Sequence, residues 1–207
     1  MLSVVIPAYN EEKYIGQVLE CLIKIPYLTE IIVVNDGSTD NTAQIVKSYS
    51  VKLINLTENI GKGGAMLVGA KAALSEYIFF MDADLVGLDE KHISSMVEEI
   101  EEGYDMIVGI FDGGRKTTDL AQVIAPFLSG QRIVKKKHLF QINDLHVSRF
   151  GVEVALTKFA AKHNLKVKEV ILHDLSHVMK EEKLGLVKGF AYRLKMYWEI
   201  AKNVTHG

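Results

Sequence analysis

The chain has 207 residues, of which 48% are hydrophobic and 24% charged, and its formal net charge is −2. That length and apolar content suit one domain of ordinary size with a sizeable core, and they exclude a disordered chain. The single cysteine, Cys21, excludes an internal disulfide and any cysteine-based zinc cluster, and it fits a reducing compartment.

Met1 runs directly into the strand-like "LSVVIP" without a basic leader, and no apolar stretch is long enough to span a bilayer. The expectation is a cytoplasmic protein, soluble or peripheral at the inner face of the membrane. Short apolar runs rich in Val and Ile at 2–6, 30–34, 51–56, 77–81 and 104–109 read as buried strands. Helical patterns at about 11–24, 39–48, 61–75 and 89–102 separate them, the last closing on Gly103. This alternation predicts an α/β fold: a Rossmann-like, mostly parallel sheet with helices on both faces. Ligands bind such sheets beyond the carboxyl ends of the strands.

From residue 111 the pattern changes. "FDGGRKTTD" is a glycine-rich polar loop, read as a hinge within a single domain spanning 1–207. "LAQVIAPFLSG" reads as helical and "QRIVKKKHLF" as a basic stretch. A helix near 151–163, a strand at 165–172, the segment "HDLSHVMKEEK" and a last helix at about 183–202 follow. Residues 1–110 carry 7 Lys and Arg against 17 Asp and Glu, so −10; residues 111–207 carry 17 against 9, so +8. An acidic half followed by a basic half suits a ligand that brings both a metal ion and phosphates. The basic half holds no aromatic-rich RNA motif and no helix-turn-helix pattern, which argues against a nucleic-acid partner.

The polar clusters fall at strand ends. In "VVIPAYNEE", Pro7 ends the ladder, and Glu11 and Glu12 suit the first turn of the next helix. In "VVNDGSTDNT", Asp36 and Gly37 make a turn, and Ser38, Thr39 and Asp40 can cap the following helix. Asp36 could instead accept hydrogen bonds from a base. In "NIGKGGAMLVGA", Gly61, Gly63 and Gly64 let backbone N–H groups approach an anion at a helix N-terminus, and Lys62 adds a charge. In "FFMDADL", strand alternation would put Asp82 and Asp84 on one side, where two carboxylates repel unless a cation or a set of donors separates them. A capped acidic loop explains that pair plainly; a divalent metal site for a phosphorylated ligand explains it with chemistry.

The order "PAYNEE", "VNDGSTDNT", "GKGGA", "DAD" on successive strand ends resembles the family 2-type glycosyltransferases with a GT-A fold. The resemblance implies a nucleotide-diphosphosugar donor, with Pro7, Tyr9 and Glu11 along the nucleoside and Asp36 on a uracil-like edge. It implies Lys62 near the base and diphosphate, Asp82 beside the ribose and metal, and Asp84 as the main metal ligand and a catalytic residue. Mg²⁺ or Mn²⁺ suits such a site, because these ions prefer oxygen ligands and bridge diphosphate oxygens. The ion would offset charge on the leaving nucleoside diphosphate.

In the second half, "GGRKTTDL", "FLSGQR", "RFGVEVAL" and "LHDLSHVMK" resemble a subgroup that includes the glucosyl-3-phosphoglycerate synthases. That resemblance implies an acceptor loop at Gly114, Arg115 and Thr117, a helix start carrying Glu153, and a late metal-binding histidine, His177. As chemistry, Arg115 with Thr117 can grip a phosphate or carboxylate, or can be an exposed loop. Arg132 could serve the same acceptor or lie on a solvated face. Glu153 could hold a sugar hydroxyl or act as general base, or be a surface acid. His173 rivals His177, and Lys180 could sit near the diphosphate. In the last helix Val187, Phe190, Ala191, Leu194 and Trp198 form an apolar stripe beside Lys188, Lys195 and Lys202. It can pack on the domain, on a second subunit in a homodimer, or at a membrane surface.

The combined expectation is a metal-dependent transfer of one sugar, from UDP-glucose or a similar donor, to a small or lipid-linked acceptor bearing phosphate. The processive-synthase pattern Q-x-x-R-W is absent, which argues against polymer synthesis. Three alternatives stand beside it: a polyprenyl-phosphate glycosyltransferase at the membrane, a nucleotidyltransferase of similar build, and a non-catalytic nucleotide-sugar-binding protein.

Overall fold

A computed structural model describes residues 1–112, 129–142 and 151–177. Seven strands form one sheet: β1 (Leu2–Ala8), β2 (Glu30–Asn35), β3 (Lys52–Asn55), β4 (Tyr77–Phe80), β6 (Met106–Phe111), β7 (Arg132–Lys135) and β8 (Val167–Leu172). Their order is β3-β2-β1-β4-β7-β6-β8. All neighbours pair in parallel except β7, which runs antiparallel to β4 and to β6. Two more strands, β5 (Leu85–Val86) and β9 (Ser176–His177), form a separate antiparallel ribbon.

Side-chain alternation sorts each strand between two cores. Val4, Ile6 and Ala8 of β1 pack with Val33, Phe79 and Ile133 beneath α1 (Ile15–Leu22), α2 (Thr42–Val46) and α4 (Glu90–Glu101). Val5 joins Ile32, Val34, Ile78 and Phe80 beneath α3 (Lys62–Ala72), α5 (Lys136–Leu139) and α6 (Val152–Lys162). With both faces covered, the strands read as continuous apolar runs, and the five first-half strands lie where the sequence places them.

Helix α3 sits close on the sheet because Gly69 presents no side chain to it. A Cβ there would run into Val5 and come within 3.1 Å of Val34.

The second half departs from expectation in one segment. "QRIVKKK" is not a solvated face: residues 132–135 are strand β7, wedged between β4 and β6. Ile133 enters one core and Val134 the other, and Arg132 is 1% exposed. The sheet therefore runs through both halves of the chain. Since β7 is reversed, its amino end lies at the edge where the other strands end, with Phe80 opposite Arg132. The loop residues Gly114, Arg115 and Thr117, the segment 120–128, Lys180 and the last helix with its Lys188, Lys195 and Trp198 lie outside the described residues. Among the described residues no helix is long and apolar enough to cross a membrane.

Candidate active site

The carboxyl edge of the sheet begins with a staple between the β1 and β2 loops. Asn10 adopts a left-handed backbone, φ 57°, which a short polar side chain tolerates. Its N–H donates to Ser38 Oγ at 3.0 Å, and its side-chain carbonyl accepts from Thr39 N at 2.9 Å. Glu12 carboxylate accepts from Asn41 N and Nδ2, both at 2.9 Å, while Glu12 N donates to Asp40 Oδ2 at 3.1 Å. Glu11 N donates to Thr42 Oγ1 at 2.8 Å. The acids of "NEE" thus do not sit in the first turn of α1, which has no acid there; Glu12 bridges to the start of α2. Asp40 loses some carboxylate stability to burial, but bonds from Thr42 and Glu12 outweigh it and hold its pKa below the ordinary value. The staple leaves Tyr9 47% exposed at the rim and Pro7 half-buried.

Asp36 is 3% exposed, and both its oxygens accept backbone amides, from Ile60 at 2.8 Å and Gly61 at 3.0 Å. It therefore fixes the loop that launches α3. Gly37 has φ 69°, and a Cβ there would meet the Glu58 carbonyl carbon at 2.7 Å, so the turn requires glycine.

At the start of α3 stands Lys62. Its Nζ lies 2.7 Å from Asp82 Oδ1 and 2.6 Å from Glu153 Oε1. Glu153 belongs to the first turn of α6, so it is not a solvated acid; its side chain is 15% exposed. Burial disfavours the ammonium, but the carboxylates of Asp82 and Glu153 outweigh it and push the Lys62 pKa above its usual value. One cation between two anions leaves the group at −1. Arg132 stands behind it, donating through Nη1 to Thr157 Oγ1 at 2.9 Å and through Nε to the Ser129 carbonyl at 2.9 Å. Burial lowers its pKa to about 10 against the opposing pull of Glu153 and Glu169, so it stays charged at neutral pH.

Asp82 and Asp84 are not two residues of one strand. β4 ends at Phe80, and Ala83 and Asp84 form a turn before β5, so strand alternation does not carry across the pair. Asp82 goes to Lys62. Asp84 directly precedes the ribbon in which Leu85 pairs with His177. The ribbon is tight: Gly87 has φ 83°, and a Cβ there would approach the Asp174 carbonyl oxygen at 2.6 Å. His92 steadies the chain leading to it. Its Nδ1 accepts from Asp89 N at 3.0 Å, which leaves Nε2 to donate to the His173 carbonyl at 2.7 Å. The His173 ring itself lies with Asp112, Nδ1 to Oδ2 2.9 Å, at the ends of β8 and β6. Of the two histidines, His177 is the one whose backbone adjoins the segment after Asp84. No group of three His, Cys, Asp or Glu that could hold a metal occurs among the described residues.

Sequence reasoning passed over Gly130 and Gln131. Gln131 side-chain amide bonds Asp82 twice, and Gly130 lies against the Asp82 carboxylate. Their signals were the resemblance carried by "FLSGQR" and the polar "SGQ" directly before an apolar alternation.

Residues 3–161 match Glycosyl transferase family 2. The chain belongs to glycosyl transferase family 2. The family 2 match takes in all of the sheet except β8, together with Lys62, Asp82 and Glu153. An uncharacterized protein of Methanocaldococcus jannaschii is 35% identical, over 94% of this chain and 90% of its own length. An uncharacterized glycosyltransferase of Escherichia coli is 36% identical, over 68% of this chain; the chain spans 37% of that longer protein. Among solved structures, glucosyl-3-phosphoglycerate synthase from Mycobacterium tuberculosis, in complex with Mn²⁺, UDP and glucosyl-3-phosphoglycerate, superimposes with a TM-score of 0.72 at 23% identity, covering 89% of this chain and 75% of that one. The fold of this family 2 glycosyltransferase is accordingly GT-A-like.

Proposed function

We propose that the chain transfers one sugar from a uridine-diphosphate sugar, UDP-glucose being the first candidate, to a small acceptor bearing phosphate, with Mg²⁺ or Mn²⁺. One observation carries the reading. Lys62, Asp82 and Glu153, brought from three separate elements, meet at the carboxyl edge of a family 2 sheet, with Asp84 and the β5–β9 ribbon beside them. The Mycobacterium tuberculosis synthase has been solved with Mn²⁺, UDP-glucose and phosphoglyceric acid together, which supports both the donor and the acceptor class.

In this reading the uracil end lies over Pro7, Tyr9 and Glu11, with Asp36 at the base edge. The diphosphate lies toward Lys62 at the start of α3, a helix N-terminus being favourable for an anion. Asp82 meets the ribose and metal side. Asp84 would hold the ion through the carboxylate oxygen that a hard cation prefers, with His177, which pairs with Leu85, as the second candidate ligand. When bound, the ion offsets the charge that builds on the departing nucleoside diphosphate. Glu153, held by Lys62, orients a sugar hydroxyl or takes a proton from the acceptor. Gly114, Arg115 and Thr117 grip the acceptor phosphate, and the buried charge of Arg132 favours an anion above Glu153.

A thermal-shift panel of nucleoside diphosphosugars, with and without Mn²⁺, tests the donor. A ligand well above its dissociation constant raises the melting temperature by mass action. A shift with one UDP-sugar only when metal is present supports the reading, and UDP release on adding phosphoglyceric acid or glycerol 3-phosphate supports the acceptor class. A shift that ignores metal overturns the assignment of Asp84.

A further inference from the structure

Between the acceptor-loop segment and β7 lie two buried residues with no part in the scheme above, Gly130 and Gln131. Gln131 makes both of its side-chain bonds to one partner. Its Oε1 accepts from Asp82 N at 3.2 Å, and its Nε2 donates to Asp82 Oδ2 at 2.7 Å. A primary amide offers an acceptor and a donor side by side without any change of protonation. Gln131 is anchored in turn: its backbone N donates to Ser129 Oγ at 3.3 Å, and that hydroxyl donates to the Gly109 carbonyl on β6. Gly130 supplies the space. A Cβ there would fall 2.7 Å from Asp82 Oδ1 and closer still to Oδ2, and the backbone is not left-handed, so room rather than conformation demands glycine. With Lys62 on Oδ1 and Gln131 on Oδ2, the Asp82 carboxylate has one orientation.

We propose that Gly130 and Gln131 are positioning residues for Asp82, fixing its carboxylate toward the ribose and metal side of a bound nucleotide-diphosphosugar without touching the donor themselves. The inference rests on the donor reading above. Since β7 is the reversed strand of the sheet, its approach from the carboxyl edge is what delivers the amide to Asp82.

Calorimetric titration of UDP-glucose with Mn²⁺ tests this. Gln131→Ala, Gly130→Ala and Asp82→Ala each weaken binding by roughly tenfold, the scale of one hydrogen bond to a charged group. In the Asp82→Ala background, adding Gln131→Ala brings no further loss, because the two act as one unit. A residue that merely stabilised the fold would add its cost there. Gln131→Glu guards against a folding failure: it keeps the shape and one acceptor, replaces the donor with a like charge, and weakens binding too. Unchanged affinity in Gly130→Ala and Gln131→Glu, or full additivity with Asp82→Ala, overturns the inference while the donor reading stands. A wild-type protein that binds neither UDP-glucose nor UDP with Mn²⁺ overturns the donor reading and the inference together.

Discussion

At the scale of single residues, Lys62 is the hinge of the site's electrostatics. Lys62→Met leaves the carboxylates of Asp82 and Glu153 facing one another without a cation. The expected loss is about 2 kcal/mol of stability, below the range for fully buried pairs because these side chains are 15–29% exposed. Urea unfolding measures it, and adding Glu153→Gln recovers part of the loss by removing one of the like charges. The raised Lys62 pKa means its contribution is present at neutral pH, below the ordinary value of 10.5, and fades as pH climbs through the higher folded value. Asp84→Asn has a different signature: the metal dependence of donor binding collapses while the melting temperature of the ligand-free protein stays put. Lys62, Asp82, Asp84 and Glu153 were all legible in the sequence, because charged residues at strand ends and helix starts stand out against apolar runs. What joins them was not. The contact from Lys62 to Glu153 spans 91 positions, and no local pattern encodes it.

At the scale of elements, Asp105 ties three strands together at the edge opposite the site. Its carboxylate accepts from Lys135 Nζ at 2.9 Å, just beyond the β7 core, and from Lys166 N at 3.1 Å, ahead of β8. Burial pushes its pKa up, but the bonds from Lys135, Lys166 and His138 prevail and hold it at about 2. A depressed carboxylate stabilises above its unfolded value of 3.8, and that stability is lost as pH falls through about 2. Asp105→Asn should therefore cost about 2 kcal/mol at neutral pH and nothing below pH ~2, read from unfolding curves at several pH values. Helix α3 carries a second check. Gly69→Ala forces a methyl group onto Val5, and the expected destabilisation is about 1–3 kcal/mol. The first-half elements were readable because strand and helix periods alternate there. Strand β7 was not: it has only four residues, two of them basic, and its burial depends on β4 and β6 closing over Arg132.

At the scale of the whole molecule, the sequence divides into an acidic first half and a basic second half. A phosphate-bearing acceptor drawn toward the basic half should bind less well as salt screens the attraction. Raising NaCl from 50 to 500 mM is expected to increase the acceptor KM about threefold or more and to leave kcat nearly unchanged, by steady-state UDP release. The placement of β7 has a consequence for synthesis of the chain. A ribosome that has delivered residues 1–112 has made both strands that flank that strand's slot, yet the slot itself is vacant, so β4 and β6 each present an open edge. Open edges invite pairing with other chains. The first half is thus not a module that can be cut out at residue 112 and kept monomeric: the short strand that follows Gln131 also covers two edges that would otherwise invite aggregation.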